Sequence, residues 1–179
     1  IQTRPVLLDV TQDDAAPVLK AAIVANSFDL AVLCAGIGDA LDAPQSPTRE
    51  RFDAVLHANL LGPMQLLSAV AEHLVPGGRL AVLSSRMGSI AERRESTRWL
   101  YRASKAALNS VLKDAAMAFA GRVTCVSLHP GWVQTDMGGG TAPLAVEDSV
   151  RGLRATLASV TSADKGRLLH HDGRRASHW

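Results

Sequence analysis

Lysine is scarce in this chain, with four in 179 residues, tyrosine is scarcer still with one, and cysteine is limited to Cys34 and Cys125. The two cysteines stand 91 positions apart, which is no metal-ligand spacing, and both lie in apolar runs that read as strands. Two buried thiols are expected rather than a disulfide. No run of eighteen apolar residues exists, and the opening "IQTRPVLLDV" lacks the order of a secretory signal, so a soluble cytoplasmic protein without a membrane partner is expected. Charge of one sign is lacking too: the net charge is +2 and the arginines are scattered, which gives no reason to invoke nucleic acid. The absence of G-x-S-x-G argues against a hydrolase nucleophile turn. His170, His171, Asp172 and His178 form only a loose C-terminal group, read as exposed loop, and no metal site is expected.

What is present is an alternation. Apolar, β-branched-rich runs occur at Val6 to Val10, Leu30 to Ala35, Arg79 to Ser84, Val123 to His129 and, more weakly, Arg167 to His170. Helical periodicity lies between them, near 13–26, 47–75, 99–120 and 146–160. Residues 1–179 therefore read as one domain with a mainly parallel sheet covered on both faces, an α/β fold of the doubly wound, Rossmann-like kind. Ser46-Pro47 reads as a cap and first-turn proline for the second helix. Asn59 interrupts that helix's apolar stripe, and Pro63, four residues on, cannot donate to the Asn59 carbonyl, so a kink is expected there. A buried asparagine satisfied by nearby backbone is the plainer reading.

Ligands of such sheets bind beyond the carboxyl ends of the strands. The residues there are Asp9-Val10, Cys34-Ala35-Gly36, Ser84-Ser85 and His129-Pro130-Gly131. Tyr101 and Lys105 stand four apart on one helix and can share a face. An ammonium beside a phenol lowers the phenol's pKa toward that of a working general acid or base. A phenol so tuned can protonate a carbonyl oxygen while hydride reaches the carbon, with Ser85 holding the oxygen and Asn59 ordering a water that links Lys105 to solvent.

The stretches "SSRMGSI", "YRASKAALN" and "HPGWVQTDMGG" resemble the short-chain dehydrogenase/reductases, in particular their C-factor-like carbonyl reductase branch, over residues 6–179. The resemblance implies a catalytic tetrad of Asn59, Ser85, Tyr101 and Lys105, and a nicotinamide cofactor, NADP or NAD, acting on a small-molecule carbonyl or alcohol substrate. It implies that Asp9 and Val10 border the adenine, that Cys34, Ala35 and Gly36 pass beside the ribose, and that Pro130, Gly131, Val133 and Thr135 hold the nicotinamide amide. Lys105 would also bond the nicotinamide ribose, with Tyr101 beside it. The family's long helices commonly form a homodimer or homotetramer, and Ala103, Ala106 and Ala107 would permit close packing. Two departures stand out: "CAG" replaces the family's "NAG" at Cys34, and the glycine-rich first strand-helix-strand unit is missing from the sequence. That unit takes roughly 30 residues or more, so the working protein is expected to include an N-terminal segment before Ile1. The rival expectation is a non-catalytic reductase-like domain acting through protein contacts or signalling. Trp132 and Met137 are candidates for an apolar substrate wall, and "AERRESTR", residues 91–98, reads as a solvated loop overlooking the substrate side.

Overall fold

Four apolar runs pair as a parallel sheet, β1 (Phe28–Leu33), β2 (Leu74–Leu83), β3 (Val123–His129) and β4 (Leu168–His170), hydrogen-bonded in that order. The computed structural model describes residues 3–176; His178 lies outside them. Parallel neighbours need crossovers, and helices supply them. After α1 (Ala15–Ala22), β1 is joined to β2 by α2 (Arg49–Leu56), a π-helical turn (His57–Leu61) and α3 (Gly62–Ala71). α4 (Trp99–Ala118) joins β2 to β3, and α5 (Val146–Ser159) joins β3 to β4.

Alternation along the strands divides the core in two. Leu80 and Val82 of β2, with Val123 and Cys125 of β3, meet Leu67, Val70, Leu108 and Leu112 from α3 and α4. Ala81, Val126 and Leu128 point the other way and meet Leu157 of α5 and Leu169 of β4. Helices on both faces of a parallel sheet make the doubly wound α/β arrangement expected from the sequence. The helix running from Arg49 to Ala71 is long and apolar enough to cross a membrane, but more than half of its most apolar stretch is buried inside the fold, as in a core helix.

Several boundaries differ from expectation. Val6 to Val10 is not a strand: it bonds to no strand among the described residues, and Leu7 is 99% exposed. An extended run becomes a strand only where a neighbouring backbone takes up its hydrogen bonds. The second helix starts after Thr48, whose hydroxyl accepts the Arg51 N–H at 3.3 Å, so Pro47 stays outside it. That helix ends at Ala71, and Leu74 opens β2 instead of closing the helical stripe. Cys34 is an exposed free thiol rather than a buried one, because the face of β1 beyond it is open; Cys125 is buried as expected.

Candidate active site

Where a kink is expected after Asn59 the helix widens into the π turn, in which the Gly62 N–H reaches back to the His57 carbonyl. The wider turn accompanies a fully buried Asn59 side chain that clamps the loop after β1. Its Oδ1 accepts the Ile37 N–H at 2.8 Å, while its Nδ2 donates to the Ile37 carbonyl at 2.9 Å and to Ser104 Oγ at 3.0 Å. Ser104 in turn donates to the Tyr101 carbonyl at 2.8 Å. The side chain is thus satisfied by backbone and by the very helix that carries the Tyr-Lys pair.

Beyond β2 the chain turns sharply. Ser85 caps a short 3₁₀ turn, Arg86–Gly88, by accepting the Met87 N–H at 3.1 Å. That turn lies flat on α4: a Cβ on Gly88 would come within 2.7 Å of the Lys105 carbonyl carbon. Only glycine permits this approach; the Ser85 hydroxyl at the head of the turn is close enough to the Tyr101 phenol to pull its pKa down. Ser84, its neighbour, points inward and bonds Asn109 Oδ1 at 2.6 Å.

Tyr101 and Lys105 are both buried, 7% and 4% exposed, on the same face of α4. Lys105 Nζ donates to the Leu83 carbonyl at 2.9 Å and lies 5.8 Å from the centre of the Tyr101 ring. Burial pulls the lysine down from 10.5 to about 8. The phenol departs from expectation: burial raises it above its ordinary 10, with the Ser85 hydroxyl and the Arg98 charge pulling weakly the other way. Lys105 is not among the groups that lower it, and its ammonium donates to the Leu83 carbonyl.

The strand-end residues divide into two sets. Gly36 sits over the polar cluster, where a Cβ would lie 3.0 Å from Asn59 Oδ1 and 3.3 Å from Lys105 Nζ. Cys34 and Ala35 before it are exposed. Asp9 is exposed and its carboxylate is occupied by Thr11, through the backbone N–H at 2.9 Å and the hydroxyl at 2.8 Å, which holds its pKa low. Val10 lies against Gly62, where its carbonyl leaves no room for a Cβ. On the other side, the Pro130 carbonyl accepts the Ser149 hydroxyl at 2.7 Å, and Gly131 has a φ of +90°, a conformation that favours glycine. Val133 bridges to Leu144, and Thr135 Oγ1 accepts the Gly138 N–H at 3.1 Å, so this loop is tied to itself. The Trp132 indole donates to the Gly138 carbonyl at 2.7 Å but the ring is largely exposed; Met137 packs over Gly38. Among the described residues no three His, Cys, Asp or Glu converge to hold a metal.

Asn59, Ser85, Tyr101 and Lys105 thus converge on one locus, whereas Asp9 stands apart in an exposed turn. Sequence reasoning did not single out Ser104, Gly88 or Arg98. Ser104 carried a signal, lying three residues after Tyr101 on the same buried face. Gly88 and Arg98 carried none, because their contacts are tertiary.

A parallel α/β sheet with a buried Tyr-x-x-x-Lys helix and a serine at a strand end is the framework of a dinucleotide-dependent oxidoreductase. The family model described as enoyl-(acyl carrier protein) reductase matches residues 1–164. The C-signal protein of Myxococcus xanthus is 42% identical over 119 residues, covering 64% of this chain and 71% of that protein. A carbonyl reductase from Pseudomonas aeruginosa PAO1, solved in complex with NADP, superposes with a TM-score of 0.83 at 32% identity, covering 97% of this chain and 76% of that one. Carbonyl reductase Sniffer of D. melanogaster gives a TM-score of 0.86 at 28% identity, with 97% and 77% covered. Of two further relatives the chain spans about half the length, 54% and 49%. The chain belongs to the short-chain dehydrogenase/reductase family.

Proposed function

We propose that this protein is an NADP- or NAD-dependent carbonyl reductase in which Tyr101 is the general acid. The carrying observation is the Ser85 hydroxyl set against a buried Tyr101 phenol, one helical turn from a buried Lys105. Support for a site here for the nicotinamide half of a dinucleotide is the close approach of Gly36 to the polar cluster, where a Cβ would crowd Asn59 Oδ1 and Lys105 Nζ. Gly36, Lys105, Pro130, Gly131, Val133 and Thr135 would hold that half, and Cys34, Ala35, Asp9 and Val10 would border the rest. A bound dinucleotide supplies the hydride in reduction, or accepts it in oxidation.

The phenol, held above 10 by burial, is protonated at neutral pH and is thus in the form that donates to a carbonyl oxygen. Ser85 positions that oxygen, the Lys105 ammonium would bond the ribose and stabilise the phenolate left when Tyr101 gives up its proton, and Asn59 joins the Lys105 environment to the loop at Ile37. The working form is a cytoplasmic homodimer or homotetramer, for which Ala103, exposed on the outer face of α4, permits close approach.

Tyr101→Phe in the full-length protein should lower kcat for NADPH-dependent aldehyde reduction by roughly 10²- to 10⁴-fold, leaving NADPH affinity within about twofold. Retained turnover ends this reading. A second reading, a reductase-like domain working through protein contacts, is favoured by one feature, the exposed apolar residues Phe28, Leu30 and Val32 of β1. Titration of reduced-cofactor fluorescence separates the two: saturable binding supports the enzyme, and no binding by full-length protein supports the scaffold.

A further inference from the structure

Arg98 closes the run "AERRESTR" and stands three residues before Tyr101 as the N-cap of α4. Its backbone is left-handed, φ 52° and ψ 41°, a conformation uncommon for a long side chain and costing on the order of 1–3 kcal/mol. Three hydrogen bonds hold it there. The Arg98 N–H donates to Asp42 Oδ1 at 2.8 Å, the Trp99 N–H to the Leu41 carbonyl at 3.0 Å, and the Ala43 N–H to the Ser96 carbonyl at 3.1 Å. The fold thus fixes an arginine where asparagine or glycine would sit with less strain.

That arginine lines a cleft of about 500 Å³, a size suited to a small organic ligand, with Ile37, Ala54, Val55 and Met137 as apolar wall. Two charged groups share the cleft with it, Arg51 and Asp39. These cancel: the buried Asp39 carboxylate pairs with the Arg51 guanidinium and takes the Leu41 N–H at 2.8 Å. Asp42 is engaged at the Arg98 backbone. Among the described residues the Arg98 guanidinium has neither a hydrogen bond nor an ion pair, although the residue is half-buried. An unpaired, partly desolvated guanidinium is unfavourable on its own and becomes favourable when a planar anion pairs with it in bidentate fashion. Its charge also reaches the Tyr101 phenol, so the cleft and the reacting oxygen are within one electrostatic neighbourhood.

We propose that Arg98 is a specificity-determining residue that recognises a carboxylate on the substrate, so that the protein favours carbonyl compounds bearing an acid group remote from the reacting carbon. The identity of the reacting group rests on the reductase reading above; the anion site does not. The test compares 4-acetylbenzoate with its neutral isostere 4-methylacetophenone, binding each to the full-length protein by calorimetry and reducing each with NADPH. The acid should bind at least about tenfold tighter, and Arg98→Asn, which suits the left-handed backbone and so keeps the fold, should bring the ratio close to one. Arg98→Lys should restore part of the preference. An acid-to-neutral ratio near one in the parent, or one unchanged in Arg98→Asn, overturns the inference. So does an equal loss of NADPH affinity in Arg98→Asn, which would assign the arginine to the cofactor's phosphates. If neither ketone is reduced while the acid preference and its loss are observed, the catalytic reading fails and the anion site stands.

Discussion

β1 and β3 are parallel strands of similar length, six and seven residues, yet five positions of β3 are buried and none of β1 is. β3 has a partner on each edge and helices on both faces, whereas β1 pairs only with β2 and leaves Leu30 and Val32 38% and 37% exposed. Beside β1 runs an apolar trench between it and Leu8, Leu19 and Ile23. The candidate site divides along the same line. Asn59, Ser85, Tyr101 and Lys105 are buried on the packed side; Cys34, Ala35 and Asp9 lie exposed on the open side. Placing the acid/base groups therefore depends on α4, the end of β2 and the π turn, and hardly at all on β1's outer face.

The largest effect that would sharpen this contrast is in the core. Leu80→Ala, at a fully buried position between β2 and α4, should cost about 2–5 kcal/mol in urea unfolding, and Val32→Ala no more than about 0.5 kcal/mol. A Val32→Ala cost near that of Leu80→Ala would break the comparison, because it would mean that the outer face of β1 is covered in solution.

The same contrast marks what could be read from residues in order. α4, β3 and α5 were legible to within two residues because their periodicity and their burial agree: each packs the face that its pattern nominates. The proximity of Tyr101 and Lys105 was legible because helical geometry alone enforces it. Val6 to Val10 carried the pattern of a strand, but pattern supplies no partner edge, and the run stays exposed. Cys34 misled for the same reason, since an apolar run says nothing of whether its face is covered. The direction of the phenol's shift was not legible, because it turns on how deeply the packing around α4 buries Tyr101, which the spacing to Lys105 does not reveal. Arg98 was hidden in a charged run whose other members are exposed or half-buried loop residues; only the fold distinguishes it.

Lys105 offers a smaller effect with a distinct signature. The unfolded chain keeps the lysine proton up to about 10.5, the folded chain releases it near 8, and between those values folding expels a proton. A base whose folded pKa is depressed makes stability rise with pH through that window. The rise is absent below about pH 8 and amounts to about 3 kcal/mol by pH 10.5, at roughly 1.4 kcal/mol per pH unit. Burial raises Cys34 above its ordinary value and Cys125 from 9.0 to about 11, so these thiols oppose the rise from about pH 9 upward, and Tyr101, shifted above 10, joins them at the top of the window. Urea midpoints measured from pH 7 to pH 9, below the range where the thiols titrate, should climb in the parent and stay level in Lys105→Met. A level profile in the parent would mean that Lys105 is more hydrated than its position on the packed side allows.

Asn59 is the strut between the two regions, since its side chain grips the Ile37 peptide from the packed side by both the N–H and the carbonyl. Asn59→Ala removes three hydrogen bonds and strands the polar atoms they satisfied, a loss of about 2 kcal/mol after water reaches some of them. The effect should be local before it is global. The Ile37 amide, which donates directly to Asn59 Oδ1, should exchange with solvent deuterium roughly 30-fold faster, as about 2 kcal/mol dictates. Amides in β3, which do not touch Asn59, should change only as far as global stability falls. Unaltered exchange at Ile37 would show that the loop after β1 is held by something other than this side chain, and the division between a fixed and an open half would have to be redrawn on the far side of Gly36.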